Sequence, residues 1–175
     1  MHAQAGQVIC DASANNSACE SLGYGWVFHG VNGWNIPGNS ASGGTYYVEG
    51  HATISGSPGT NLVPVAISII AEGNIDISGN PDLVPDAPEI LFATDMDLKI
   101  GGNLDTPTNI EGQVLVHEQI MISGNPTLAG QVIVENAASV STLVTNNTIS
   151  GNPTIVYNGL VGSNTFAVTA WREVR

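Results

Sequence analysis

Basic side chains are almost missing from this chain. Its 175 residues include only Lys99, Arg172 and Arg175, against fifteen Asp and Glu, for a formal net charge of −12. Such a surface repels nucleic acid and anionic lipid, so neither is expected as a partner. Long apolar runs are lacking too. None approaches the roughly 20 residues of a membrane-spanning helix, and no signal peptide follows Met1. A membrane link is therefore expected only through a missing N-terminal segment, with the natural chain beginning earlier. Cysteine is scarce: Cys10 and Cys19 stand alone, nine residues apart in a Gly/Asn/Ser-rich stretch. A bridge there would close a short loop and stabilise by roughly 2–3 kcal/mol. The segment has little core of its own and the chain reads as exported, so the disulfide is expected over two free thiols.

Motifs of catalysis are also absent. There is no G-x-S-x-G, no P-loop and no dinucleotide fingerprint, and His117-Glu118 lacks the second histidine of H-E-x-x-H. Helical 3.6 spacing is sustained nowhere.

What is present is a repeat. One phrase recurs five times, at Ile54-Ser55-Gly56-Ser57-Pro58, Ile77-Ser78-Gly79-Asn80-Pro81, Ile100-Gly101-Gly102-Asn103-Leu104, Ile122-Ser123-Gly124-Asn125-Pro126 and Ile149-Ser150-Gly151-Asn152-Pro153. The spacings of 23, 23, 22 and 27 residues suit one coil of a β-solenoid. Apolar residues two apart mark strands with one buried face: Ile75/Ile77, Leu98/Ile100 and Ile120/Ile122 before the phrase. Further upstream come Tyr46/Val48, Ile69/Ala71, Phe92/Thr94, Val114/Val116 and Val132/Val134, and after the phrase Leu83, Leu128 and Ile155. The expected fold is all-β: a right-handed parallel β-helix, a three-sided β-solenoid of about five coils of 22–27 residues. The recurring glycines are expected at φ > 0, and Asn80, Asn103, Asn125 and Asn152 as a stacked ladder.

The ends differ from the middle. Residues 1–44 hold the cysteines with Trp26, Phe28 and Trp34 and read as a disulfide and aromatic cap; residues 45–160 are the repeats. Residues 161–175, in which Phe166, Val168 and Ala170 alternate with Thr165, Ala167 and Thr169, read as a closing strand. The longer last spacing implies a loop inserted near Ala137–Leu143.

One column invites chemistry. Glu49, Glu72, Asp95, His117 and Glu135 fall at equivalent places, with His51, Asn74, Asp97 and Gln119 two residues on. Coils about 4.8 Å apart would stack like charges, at a cost on the order of 1 kcal/mol per pair in watery surroundings. Splaying into solvent relieves this, as do a raised carboxyl pKa or a hard divalent cation. Glu49, Glu72, Asp95 and Asp97 are thus the candidate ligands of a weak Ca²⁺ site, and no other cofactor is expected. Tyr24, Trp34 and Tyr47 read as cap packing, with sugar stacking as the sharper alternative.

Enzymes are the rival class. A pectate-lyase-like site needs a basic proton abstractor, and the body offers only Lys99. A polygalacturonase-like site needs clustered aspartates; Asp95 and Asp97 are the nearest imitation, without a third acid beside them. No catalytic residue is assigned.

The run from Gly44 through Tyr46-Tyr47-Val48-Glu49-Gly50-His51 to Gly56, the Ile-Ser-Gly-Asn-Pro copies and the terminal Trp171-Arg172-Glu173-Val174-Arg175 resemble PilX-type type IV pilus-assembly proteins of Gram-negative bacteria. The likeness covers the chain from about Trp26 onward. It implies a minor-pilin-like, extracellular or cell-surface role in pilus assembly, display or adhesion, with other pilus or surface proteins as partners and a surface glycan as a further candidate. The hydrophobic N-terminal helix of that family has no counterpart here. A polysaccharide-binding or polysaccharide-cleaving β-helix is the alternative function.

Overall fold

Short β-rich runs that repeat in register can bury one face only by stacking on their own copies. A computed structural model describes residues 7–10, 25–29, 33–39, 41–86, 89–106 and 112–156, the first of these by backbone alone. Among them are fifteen strands and no helix. Along the chain they are β1 (Gln7–Cys10), β2 (Val27–Phe28), β3 (Trp34–Ile36), β4 (Gly44–Val48), β5 (Ala52–Ile54), β6 (Val65–Ala71), β7 (Ile75–Ile77) and β8 (Leu83–Val84). They continue as β9 (Ile90–Thr94), β10 (Leu98–Ile100), β11 (Gly112–Val116), β12 (Ile120–Ile122), β13 (Thr127–Val134), β14 (Thr148–Ile149) and β15 (Thr154–Val156).

The chain is a parallel β-solenoid of about five turns. One sheet runs β1-β4-β6-β9-β11-β13-β15, with β8 beside β6; the second runs β14-β12-β10-β7-β5-β3-β2. Among the described residues every pairing between these strands is parallel except β2 with β3. The registers reproduce the expected columns. Tyr46, Ile69, Phe92, Val114 and Val132 lie in line, as do Ala52, Ile75, Leu98 and Ile120. Ile54, Ile77, Ile100 and Ile122 are fully buried, each contributing about 1.5–3 kcal/mol from removal of its surface from water.

Further parallel contacts follow the phrase: β6 with β8, the bridges Asp82–Asp105 and Asp105–Thr127, and β13 with β15. This is where Leu83, Leu128 and Ile155 fall. Between Leu83 and Leu128 the register puts Thr106, a polar residue at an inward place, only 1% exposed. Its hydroxyl donates to the Thr127 carbonyl at 3.1 Å and accepts from the Ala129 N–H at 2.6 Å, so burial leaves no unmet polar group there.

The glycine column has a different cause from the one expected. Only Gly124 and Gly151 have positive φ, at 89° and 86°. At Gly56, Gly79 and Gly102 a Cβ would instead fall 1.6–1.8 Å from the carbonyl oxygen of the glycine one coil earlier. Close stacking excludes a side chain there. The asparagine ladder is present: Asn103 and Asn125 N–H groups donate to the preceding Asn side chains at 3.3 Å, and Asn152 Nδ2 donates to Asn125 Oδ1 at 3.3 Å.

At the N-terminal end, Trp34 is 1% and Tyr47 6% exposed, so neither offers the open ring that the sugar-stacking alternative needs. Trp26 meets Tyr46 edge-on at 5.4 Å, and Phe28 tilts on Trp34 at 4.9 Å. The Cys10–Cys19 pairing, Tyr24 and the closing strand lie outside the described residues.

Candidate functional site

Alternation in the first sheet creates two faces. Tyr46, Ile69 and Phe92 enter the main core, while Tyr47, Ile70 and Ala93 form a separate apolar cluster with Ile90 and Leu115. The register continues this outer row through Leu115 to Ile133. One residue past the strand ends stand Glu49, Glu72, Asp95, His117 and Glu135, stacked as the spacing predicts. The N–H of each of the last four donates to a carbonyl of the preceding coil at 2.9–3.1 Å. The apolar row and this column together line a groove of about 450 Å³ along the flank.

Like charge is relieved by partners within the column. The Tyr47 hydroxyl donates to Glu72 Oε1. That bond, burial and the surrounding carboxylates push the Tyr47 pKa up to about 12. His117 Nδ1 lies 2.7 Å from Glu135 Oε2. That hydrogen bond raises the His117 pKa; partial burial opposes it, and the charges of Glu135, Asp95 and Glu118 add to it. No group of three or more His, Cys, Asp or Glu gathers around a metal point among the described residues.

Asp97 stands apart from the other three proposed Ca²⁺ ligands. It is fully buried; its Oδ1 accepts the Gln119 N–H at 3.0 Å and its Oδ2 the Val144 N–H at 2.9 Å. It belongs to an inner corner ladder, in which the Asn74 N–H donates to His51 Nδ1 at 2.9 Å and the Asp97 N–H to Asn74 Oδ1 at 3.1 Å.

A second buried carboxylate sits beside it. Glu118, 2% exposed, accepts from the Val140 N–H at 2.9 Å, the Ser141 N–H at 3.1 Å and the Ser139 hydroxyl at 3.2 Å. Burial alone would raise its pKa, but those three bonds and His117 outweigh it and hold the carboxyl below its ordinary value. Glu118 and Asp97 thereby pin the inserted loop, residues 135–147, against the coils. Thr142 and Leu143 of this strap join His29, Asn35, His51, Thr53, Asn74 and Asp76 around a second groove of about 570 Å³. At its wall, Lys99 Nζ meets Asp76 Oδ2 at 3.0 Å, a partly exposed pair contributing less than about 1 kcal/mol.

A third acidic contact lies at the opposite corner. With its nitrogen turned inward, the Asn61 amide donates to Asp82 Oδ1 at 2.7 Å and to Asp105 Oδ2 at 2.8 Å. Burial, then the charge of Asp105, raises the Asp82 pKa.

Spacing alone revealed the outer column and the insertion. It missed Glu118 and the double use of Asp97, whose only sequence signal is an acid at a corner that its neighbours fill with neutral side chains. Compared with known proteins, the chain matches no family model, no curated protein and no solved structure.

Proposed function

We propose that this chain is an extracellular structural or adhesive module of a type IV pilus system, acting by display rather than catalysis. In this reading the solenoid is three-sided and right-handed, and its first coil is capped by the N-terminal aromatics and a Cys10–Cys19 disulfide. The observation that carries the proposal is the outer flank, an apolar row with a column of four acids and His117 beside it, repeated once per coil. A rigid rod with one repeating flank suits lateral contact with a filament or surface partner. The PilX-like phrases point to the same setting. Hydrogen bonding of corner side chains to the next coil supports such rigidity.

The test is genetic and biochemical. Deleting the gene in its native host should reduce surface pili or adhesion, and a tagged copy should be found in the sheared-filament or outer-surface fraction. Retention of the tagged protein in the cytoplasm, with pilus number and adhesion unchanged, would refute the proposal.

A further inference from the structure

The groove beneath the strap is built from two polar rows that the coils repeat. On the outer face of the second sheet, Asn35, Thr53 and Asp76 lie in register across β3, β5 and β7, successive members about 4.8 Å apart. At the neighbouring corner His51 and Asn74 stack in the same way. Thr142 and Leu143 of the strap complete the lining of a space of about 570 Å³, within the roughly 300–1,000 Å³ usual for small-molecule sites.

The bonds that hold the coils together decide what this groove offers. His51 Nδ1 accepts the Asn74 N–H, so the neutral ring carries its proton on Nε2. Asn74 Oδ1 accepts the Asp97 N–H, and Asn35 Oδ1 accepts the Ser55 hydroxyl. The acceptor end of each side chain is thus engaged within the fold. The ends that remain are donors: His51 Nε2–H and the amide NH₂ groups of Asn74 and Asn35. Against them stands one carboxylate. Asp76 Oδ2 holds Lys99 Nζ, while Oδ1 is buried with no hydrogen-bond partner among the described residues, an acceptor in want of a donor.

That pattern selects among ligands. An anion would meet the donors, but also Asp76 and the field of a chain with net charge −12. A cation would find the only lining carboxylate already matched to Lys99. An extended peptide needs an unpaired strand edge, and β3, β5 and β7 each have a partner strand on both sides. Its side chains would also find little apolar lining beyond Ala52 and Leu143. A sugar hydroxyl, by contrast, donates and accepts at once, and a run of them can satisfy donors and an acceptor set at coil intervals. We propose that the groove between the second sheet and the strap binds a neutral saccharide, with Asn35, His51 and Asn74 donating to its oxygens and Asp76 accepting from a hydroxyl. This rests on the adhesive side of the function proposed above and names what is bound.

The test applies the purified full chain to an array of neutral gluco-, manno- and galacto-oligosaccharides, beside uronic-acid-bearing, sialylated and amino-sugar ones. Binding should favour neutral members, and titration calorimetry with the best of them then measures affinity. Asn35→Asp keeps the oxygen that Ser55 uses and turns the donor into an acceptor, so it should weaken binding by roughly tenfold or more. Thr53→Val, nearly isosteric, should weaken it several-fold. Leu62→Ser, at a 93% exposed position on the opposite corner, should leave it unchanged, and circular dichroism should stay native throughout. Saturating saccharide should also slow amide exchange at Leu143 and Val144 of the strap. No binding to any neutral saccharide would overturn the proposal. So would a preference for acidic or amino sugars, or affinity that Asn35→Asp and Thr53→Val leave intact. The pilus test runs in the native host and this one on purified protein, so the two can fail separately: binding without a pilus or adhesion defect keeps the site and removes the pilus role, and a defect without binding does the reverse.

Discussion

Replacing Glu118 by glutamine should loosen the strap while leaving the coils folded. The carboxylate divides three donors between its two oxygens: Val140 N–H on Oε1, and Ser141 N–H with the Ser139 hydroxyl on Oε2. Glutamine keeps one acceptor oxygen and turns an NH₂ toward the remaining donors. At least one backbone bond is lost and the others lose their charge assistance. Hydrogen bonds to charged groups are worth about 1.5–3 kcal/mol each, and part of that is offset because a neutral amide is cheaper to bury. A net loss of about 2 kcal/mol from strap closure is expected, near 30-fold in the opening equilibrium. Amide hydrogen exchange at Val140, Ser141 and Val144 reads this directly, since local opening exposes those groups without global unfolding. The pH dependence has a definite sign. The folded pKa is depressed, so the stabilisation is present above the ordinary carboxyl value of 4.5 and lost as pH falls through the folded one. Native strap amides, corrected for intrinsic exchange, should therefore lose protection in acid, and the Glu118→Gln protein should show a much weaker dependence. Unchanged protection at Val140 and Ser141 in the variant at neutral pH would refute the reasoning.

Two further outcomes follow from neighbouring features. Gly101→Ala should be tolerated, its nearest atom lying 3.8 Å from the added methyl, whereas Gly102→Ala puts that methyl 1.8 Å from the Gly79 carbonyl oxygen. Thermal melts should show a small shift for the first and a large fall or failure to fold for the second. Ultraviolet titration should place the Tyr47 ionisation near 12, and Glu72→Gln should bring it down. Because the folded pKa is raised, the contribution of Tyr47 to stability is intact below its ordinary value of 10.0 and declines as pH rises to about 12.

The columns were legible because a solenoid forces each coil to repeat the environment of the last, so period and register carry the same information. Departures from the repeat were harder to read. Leu104 stands where four other coils have proline, and it remains buried because that place faces the core. Thr106 fills an inward position that no apolar pattern could announce. Asp95 and Asp97 show the main limit. Two residues apart, they would share one face of a strand, but the bend between β9 and β10 turns the chain between them. One carboxylate consequently faces outward and the other inward. Alternation holds only while the backbone remains extended, and here the acidic residues sit where it does not.

The inner ladder explains why dissimilar residues occupy equivalent corners. His51, Asn74 and Asp97 have different charge and shape, yet each presents an acceptor to the N–H of the residue stacked on it in the next coil. A buried N–H without a partner costs about 1–3 kcal/mol, so the corner demands an acceptor and is indifferent to its identity. The next step breaks the pattern. Gln119 Oε1 is buried without a hydrogen-bond partner among the described residues, and the Ile120 N–H turns instead to Asn147 Oδ1 at 2.9 Å. This is the coil step into which the strap is inserted, so the chain returns to the stack only at Asn147. Asp97 is where the two demands meet: one oxygen continues the ladder and the other holds the strap. A neutral amide could do only one of these, since its second terminal atom is a donor. The carboxylate there is thus required by geometry, as the one side chain of that size with two acceptors pointing apart.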